Sequence, residues 1–202
     1  MKICKICFKE IQVNSLRTLG SDKYCICDRC FSKFKPVFIH YKIDGIKGIS
    51  LYPYDETIKQ YIYILKGCYD IELSQGFLQE FASFYRIYFR GYTLIPMPSS
   101  KEDDIRREFN HVEEIFKYLN LPYLKILKKT QKYKQSDQAH GKRKDIIKYL
   151  KVSNLELIKN KKILLVDDIV TTGSTLKSAI KLLRPGRPKK IKIMTIAKVM
   201  GH

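Results

Sequence analysis

Asp167 and Asp168 are adjacent carboxylates at the end of an apolar run, Ile163-Leu164-Leu165-Val166. A hydroxyl-rich turn follows: Thr171, Thr172, Gly173, Ser174 and Thr175. Paired carboxylates can hold sugar hydroxyls or a hydrated magnesium ion. Hydroxyls beside the free N–H groups of a helix start can hold a phosphate, and Gly173 permits the tight turn this needs. Simple helix capping would use one hydroxyl and accounts for neither the carboxylate pair nor the run of four. The Gly-x-x-x-x-Gly-Lys-Ser/Thr pattern of a P-loop is absent.

Such a constellation needs a strand, a turn and a helix to position it. Ile163 to Val166 is too short for a helix and suits a central parallel strand covered on both faces. The two aspartates then lie at the strand's carboxyl end, where open α/β sheets bind ligands. Residues 174–183 form the following helix, which stops before Pro185-Gly186.

The second chemical cluster is at the other end of the chain. Five of the six cysteines fall within the first 30 residues. Cys4-x-x-Cys7 and Cys27-x-x-Cys30 are separated by 19 residues, the spacing of a tetrahedral zinc-ribbon site. Cys25 leaves an alternative open, since Cys25 with Cys30 is also a tolerated pairing. Four protein thiolates leave no position for water, so such a zinc ion is structural. Thirty-odd residues bury little core, and the metal would supply the stability.

Lys and Arg exceed Asp and Glu by 39 − 20 = +19 across 202 residues. Such an excess points to polyanionic partners, nucleic acid foremost. No apolar stretch approaches the roughly 20 residues needed to cross a bilayer, and the Lys2 that follows Met1 opens no signal-peptide pattern. A cytoplasmic protein without membrane insertion is expected, with its cysteines as thiols or metal ligands.

Between the anchors, residues 31–45 read as a linker and 49–54 as a strand. Residues 55–66 read as a helix with Ile58, Tyr61, Ile62 and Leu65 inward. Asp70 to Tyr88 reads as a second helix, with Leu73, Phe77, Leu78, Phe81 and Phe84 in the core. Tyr92 to Ile95 is a strand leading into Pro96-Met97-Pro98-Ser99-Ser100-Lys101, a second anion-binding turn. Asp104 to Leu119 reads as a helix, with Ile105 among its inward residues, and Leu124 to Leu127 as a strand. Residues 128–145 are polar and strongly basic. Lys128, Lys129, Lys132, Lys134, Lys142, Arg143 and Lys144 make them a cationic lid over a phosphate site or a grip for a nucleic-acid backbone. Lys190 to Val199 is a final strand.

The segment from Asp167 to Thr175 resembles the phosphoribosyl-pyrophosphate (PRPP) signature of type I phosphoribosyltransferases. The resemblance assigns Asp167 and Asp168 to the ribose and Thr171, Thr172, Gly173, Ser174 and Thr175 to the 5′-phosphate. It assigns Ser99, Ser100 and Lys101 to pyrophosphate. Together with the Cys-x-x-Cys pairs, the Leu65-Lys66 segment, the Pro96-Met97-Pro98 turn, Gln135-Ser136 and Lys142-Arg143, the chain resembles the ComF family of competence proteins. Two boxes depart from that family: Arg107-Glu108-Phe109-Asn110-His111 stands where Arg-Gly-Phe-Asn-Gln is usual, and Arg143-Lys144-Asp145-Ile146 where Arg-x-x-Asn is usual.

The resemblance implies an α/β chain of type I phosphoribosyltransferase fold, a mainly parallel sheet flanked by helices. A small zinc ribbon over residues 1–40 precedes the phosphoribosyltransferase-like residues 41–202. It further implies a DNA-uptake factor for natural transformation that binds single-stranded DNA and PRPP with magnesium, beside a helicase-like translocase. Two alternatives stand next to it. In one, the chain is an active phosphoribosyltransferase in which Asp167 and Asp168 act catalytically by balancing positive charge at the ribose. In the other, it is a zinc-ribbon adaptor whose PRPP site is vestigial.

Overall fold

The computed structural model describes residues 2–12, 25–99, 101–129 and 150–201. The first knuckle folds back on itself through an Ile3–Glu10 bridge. The second opens a four-residue helix, α1 (Asp28–Phe31), with Cys27 at its N-cap.

The expected linker is instead the start of the sheet. β1 (Ile39–Ile43) pairs antiparallel with β2 (Ile46–Pro53), with Ile43 opposite Ile46. The intervening Asp44 and Gly45 both have positive φ, +51° and +79°. Asp-Gly at those angles is the preferred two-residue hairpin turn. α2 (Glu56–Gly67) follows as expected. Asp55 caps it by accepting from the Ile58 N–H at 2.9 Å, and Ile58, Tyr61, Ile62 and Leu65 are buried.

The long helix expected over 70–88 is broken. Residues Ile71–Phe77 form 3-10 turns, and α3 covers only Ala82–Tyr88. Gly76 is one cause, because Ile26 of the second knuckle packs against its bare backbone: a Cβ there would lie 2.1 Å from Ile26 Cδ1. Leu73, Phe77 and Leu78 are buried as expected, but Phe84 lies on the outside, 61% exposed. β3 (Tyr92–Pro96) comes next. The helix expected over 104–119 also breaks, into α4 (Lys101–Arg107) and α5 (His111–Phe116). Glu108 turns the chain with φ +64°, and the Asn110 side chain starts α5 by accepting from the Glu113 N–H at 3.1 Å. Ile105, expected inward, is 77% exposed on the separated α4.

β4 (Leu127–Lys129) and β5 (Leu150–Val152) form a separate antiparallel ribbon; the strand expected at Leu124 therefore begins later. β6 (Lys162–Val170), α6 (Ser174–Leu183) and β7 (Lys190–Lys198) complete the chain. The main sheet has the order β1-β2-β7-β6-β3, and every pairing except β1–β2 is parallel.

Both faces of the central strands are covered, which explains their unbroken apolar runs. Leu164, Val166, Met194 and Ile196 pack toward α2, α3 and α5. Ile163, Leu165, Ile191 and Ile193 pack toward α6. The free edge of β3 is occupied too: the Leu94 N–H donates to Pro122 O (2.8 Å) and Leu94 O accepts from the Leu124 N–H (2.9 Å).

The knuckles share the first of these cores. Cys4, Ile26, Cys30 and Phe34 belong to one buried cluster with Leu51, Tyr61 and Phe77. Phe34 is the link, with ring contacts to Tyr61 (4.8 Å), Tyr52 (5.5 Å) and Phe77 (5.9 Å). Phe34→Ala is expected to lower the unfolding free energy by about 3–5 kcal/mol, read from urea denaturation.

Candidate functional site

β3 ends at Pro96, opposite Val166, while β6 runs on beside β7 as far as Val170. The last bond across that gap is the Met97 N–H to Val166 O, at 2.8 Å. Beyond it the sheet opens, and a cavity of about 240 Å³ occupies the crevice. Asp167 and Asp168 line it from β6, Met97, Pro98 and Ser99 from the turn after β3, and Thr175 from α6. Lys66, Arg107, His111 and Lys129 supply basic groups.

Each aspartate is fixed by the backbone that follows it. Asp167 Oδ1 accepts from the Asp168 N–H at 3.0 Å, and Asp168 Oδ1 from the Ile169 N–H at 2.8 Å. The second oxygen of Asp168 faces two bases. Lys66 Nζ forms an ion pair with Oδ2, and His111 Nε2 lies 3.3 Å from it. Arg107 joins those two bases: its Nε donates to Lys66 O at 2.9 Å, and its Nη1 is 3.4 Å from His111 Nδ1.

The charges separate accordingly. Burial works against ionisation of Asp168, but the His111 hydrogen bond and the Lys66 ammonium more than offset it. The carboxyl is held far below the usual range. Burial, followed by the neighbouring negative charge of Asp168, pushes Asp167 well above that range. Burial also lowers His111, despite Asp168. One carboxylate is thus held charged while its neighbour resists ionisation.

The turn after β6 matches the arrangement expected of it. Gly173 is in the left-handed region (φ +73°), and a Cβ there would lie 2.6 Å from Ile43 Cδ1 of the hairpin. Only glycine satisfies both constraints. Thr171 and Thr172 are exposed at the rim, Ser174 and Thr175 are half-buried, and α6 starts at Ser174. Thr172 Oγ1 accepts from the Ser174 N–H at 3.4 Å.

The other turn is held by the unusual box. Ser99 Oγ donates to Asp104, while Asn110 Nδ2 donates to Ser99 Oγ (2.7 Å) and to Asp104 Oδ2 (3.2 Å). Lys101 opens α4. Ser100, Lys132, Lys134, Lys142, Arg143 and Lys144 lie outside the described residues. Of the basic segment, Lys128 and Lys129 are described: both are exposed on β4, and Lys129 lines the cavity.

Lys66, Arg107 and His111 are site residues that sequence reasoning did not assign. Their segments carried the family resemblance, but Lys66 and His111 show no shared target until α2 and α5 meet at Asp168, with Arg107 at the end of α4 bridging them.

At the N-terminus, the thiols of Cys4, Cys7, Cys27 and Cys30 all lie within 4.8 Å of one another, with Cys7 and Cys27 Sγ 3.7 Å apart. Four sulfurs around zinc at tetrahedral corners stand ~3.8 Å apart, so the donors fit that ion in kind and spacing. Backbone hydrogen bonds from Cys27, Cys7 and Ile6 outweigh burial and hold the Cys4 thiol down at about 7. Cys25 stands aside: its thiol donates to Gln79 Oε1 (3.6 Å), and burial pushes it up to about 12. Of these two, Cys27 is the one that joins the four-thiol cluster.

Residues 110–201 match the family model for a phosphoribosyl transferase domain. The competence protein ComFC of Streptococcus pneumoniae is 24% identical over 221 residues, covering 96% of this chain and 99% of that protein. Two solved structures overlap more loosely. A hypoxanthine phosphoribosyltransferase from Staphylococcus aureus is 17% identical with a TM-score of 0.39, covering 62% of each chain. A purine phosphoribosyltransferase from Pyrococcus horikoshii is 20% identical with a TM-score of 0.39, covering 62% of this chain and 73% of that one. This chain spans 62% of the length of the first of these. The matched domain, the mostly parallel sheet and the strand–turn–helix around Asp167 make this a type I phosphoribosyltransferase fold, preceded by two cysteine knuckles.

Two outcomes are expected. Gly173→Ala destabilises the chain by more than about 1 kcal/mol, measured by thermal unfolding. The second concerns pH. An unfolded histidine titrates near 6.5, and buried His111 titrates lower. Between those values the unfolded chain binds more protons, so stability falls as pH drops through that window. His111→Gln should flatten this part of the stability profile.

Proposed function

We propose that this ComF-like protein binds PRPP with magnesium in the crevice and single-stranded DNA on its basic surfaces, as a factor in DNA uptake. A full-length relative named as a competence protein supports the biological setting. The observation that carries the ligand is the crevice beyond Val166, which carboxylates, hydroxyls and cations line together. Asp167 and Asp168 suit ribose hydroxyls. Thr171 to Thr175, with the N-terminus of α6, suit the 5′-phosphate. Lys66 and Arg107, with Ser99 of the turn after β3, suit pyrophosphate. Asp167 and Asp168 offer carboxylate oxygens, the donor kind that suits magnesium, a hard cation that supplies charge neutralisation at the pyrophosphate when bound.

Cys4, Cys7, Cys27 and Cys30 hold a structural zinc ion in this reading, the DNA-binding role extends to Lys128 and Lys129, and the protein works in the cytoplasm beside a helicase-like translocase. No helix among the described residues is long and apolar enough to cross a membrane. Turnover is the alternative to binding alone. The same residues could stabilise departing pyrophosphate while Asp167 and Asp168 balance charge at the ribose.

Isothermal titration calorimetry with PRPP and magnesium tests the crevice. The wild-type chain is expected to bind, and Asp168→Asn to bind at least about tenfold more weakly, since charge-assisted hydrogen bonds are lost. Absence of wild-type binding would overturn the reading. Pyrophosphate release across nucleobases and ammonia separates turnover from binding alone. For the cysteine site, one zinc per chain is expected by atomic emission, retained in Cys25→Ser and lost in Cys27→Ser.

A further inference from the structure

A second surface lies at the other end of the sheet, away from the crevice. β3, β6 and β7 begin in register, with Tyr92 opposite Lys162 and Lys162 opposite Lys190. Strand alternation puts Lys162, Lys190 and Lys192 on the face of Leu164 and Met194, the face that α3 covers. Above them α3 turns large apolar groups outward: Phe84, Ile87 and Tyr88 are 61%, 76% and 53% exposed. This is the helix whose Phe84 was expected in the core.

The exposed rings are ordered. Phe84 and Tyr88, one helical turn apart, stack with centroids 6.0 Å apart and planes inclined by 12°. Lys192 Nζ lies 4.3 Å from the Tyr88 ring centroid and 3.2 Å from its hydroxyl. Arg90, exposed just after α3, extends the positive charge. The contributing stretches 81–93, 159–166 and 184–201 contain no aspartate or glutamate.

We infer that this face docks single-stranded nucleic acid, with bases stacking on Phe84 and Tyr88 and phosphates paired with Arg90, Lys162 and Lys190. Flat rings interleaved with cations match a strand with flat bases and an anionic backbone. A peptide-like apolar partner would not need charge distributed between the rings. An acidic bilayer is usually met by longer amphipathic helices, whereas α3 has seven residues. The inference rests on the nucleic-acid part of the proposed function. It adds a location: the strand lies at the amino ends of the parallel strands, so it and PRPP bind without competing.

Fluorescence anisotropy of a labelled oligodeoxythymidylate on the full chain, at several salt concentrations, tests this surface. Phe84→Ala combined with Tyr88→Ala should weaken binding at least about fivefold. Lys190→Gln should reduce the slope of log affinity against log salt by about 0.7. Both variants should bind PRPP as wild type does, and PRPP should leave oligonucleotide affinity unchanged. Undiminished affinity in the ring variant overturns the location, as does a loss confined to Lys128→Gln with Lys129→Gln. Binding to phosphatidylserine vesicles but not to the oligonucleotide assigns the face to membranes and overturns it. If wild type binds no oligonucleotide, the nucleic-acid part of the proposed function fails as well, whereas the crevice is judged separately by the PRPP titration.

Discussion

The buried carboxylate of Asp168 organises the site around it. A charge removed from water must be answered by partners or it neutralises. Here the partners come from separate parts of the chain: Lys66 from the end of α2 and His111 from the start of α5. Arg107 ties them to each other through the Lys66 carbonyl and the His111 ring. Removing Lys66 would leave the Asp168 charge uncompensated in a low-dielectric crevice. The requirement fixes where α2 and α5 meet the end of β6, and hence the shape of the cavity.

The same requirement explains why the paired aspartates are chemically unequal. Asp168 has the Lys66 countercharge and the His111 hydrogen bond; Asp167 has buried surroundings and a charged neighbour, so it takes the opposite shift. Two identical side chains in sequence become a fixed anion and a group that resists ionisation. That asymmetry comes from neighbours distant in the chain, and no reading of the Asp-Asp pair alone contains it.

What was legible in sequence was local. The strand–turn–helix from Ile163 to Leu183 follows from its apolar run, Gly173 and the hydroxyls, and the helix bounds fall where expected. The Cys-x-x-Cys spacing identified four thiols that do converge. Errors arose where tertiary contacts override periodicity. The helix over 70–88 looked continuous by spacing, but Gly76 is pressed against Ile26, and the break turns Phe84 outward. The helix over 104–119 breaks at Asn110, whose side chain caps α5 and also grips Ser99. The hairpin has a local signal in the Asp44-Gly45 pair itself, set within a stretch whose composition resembles a linker. Lys66 and His111 had none, because their common target, Asp168, is distant in sequence.

The edge of β3 has a further consequence. An uncovered edge strand is a template on which another chain can add a strand. At Leu94 both backbone groups are already engaged by Pro122 and Leu124. Sheet extension is therefore blocked at that point, and β-augmentation by an incoming peptide is not an available mode of association there. Partners approaching this side of the molecule must recognise side chains rather than main chain, which makes the association sensitive to surface composition.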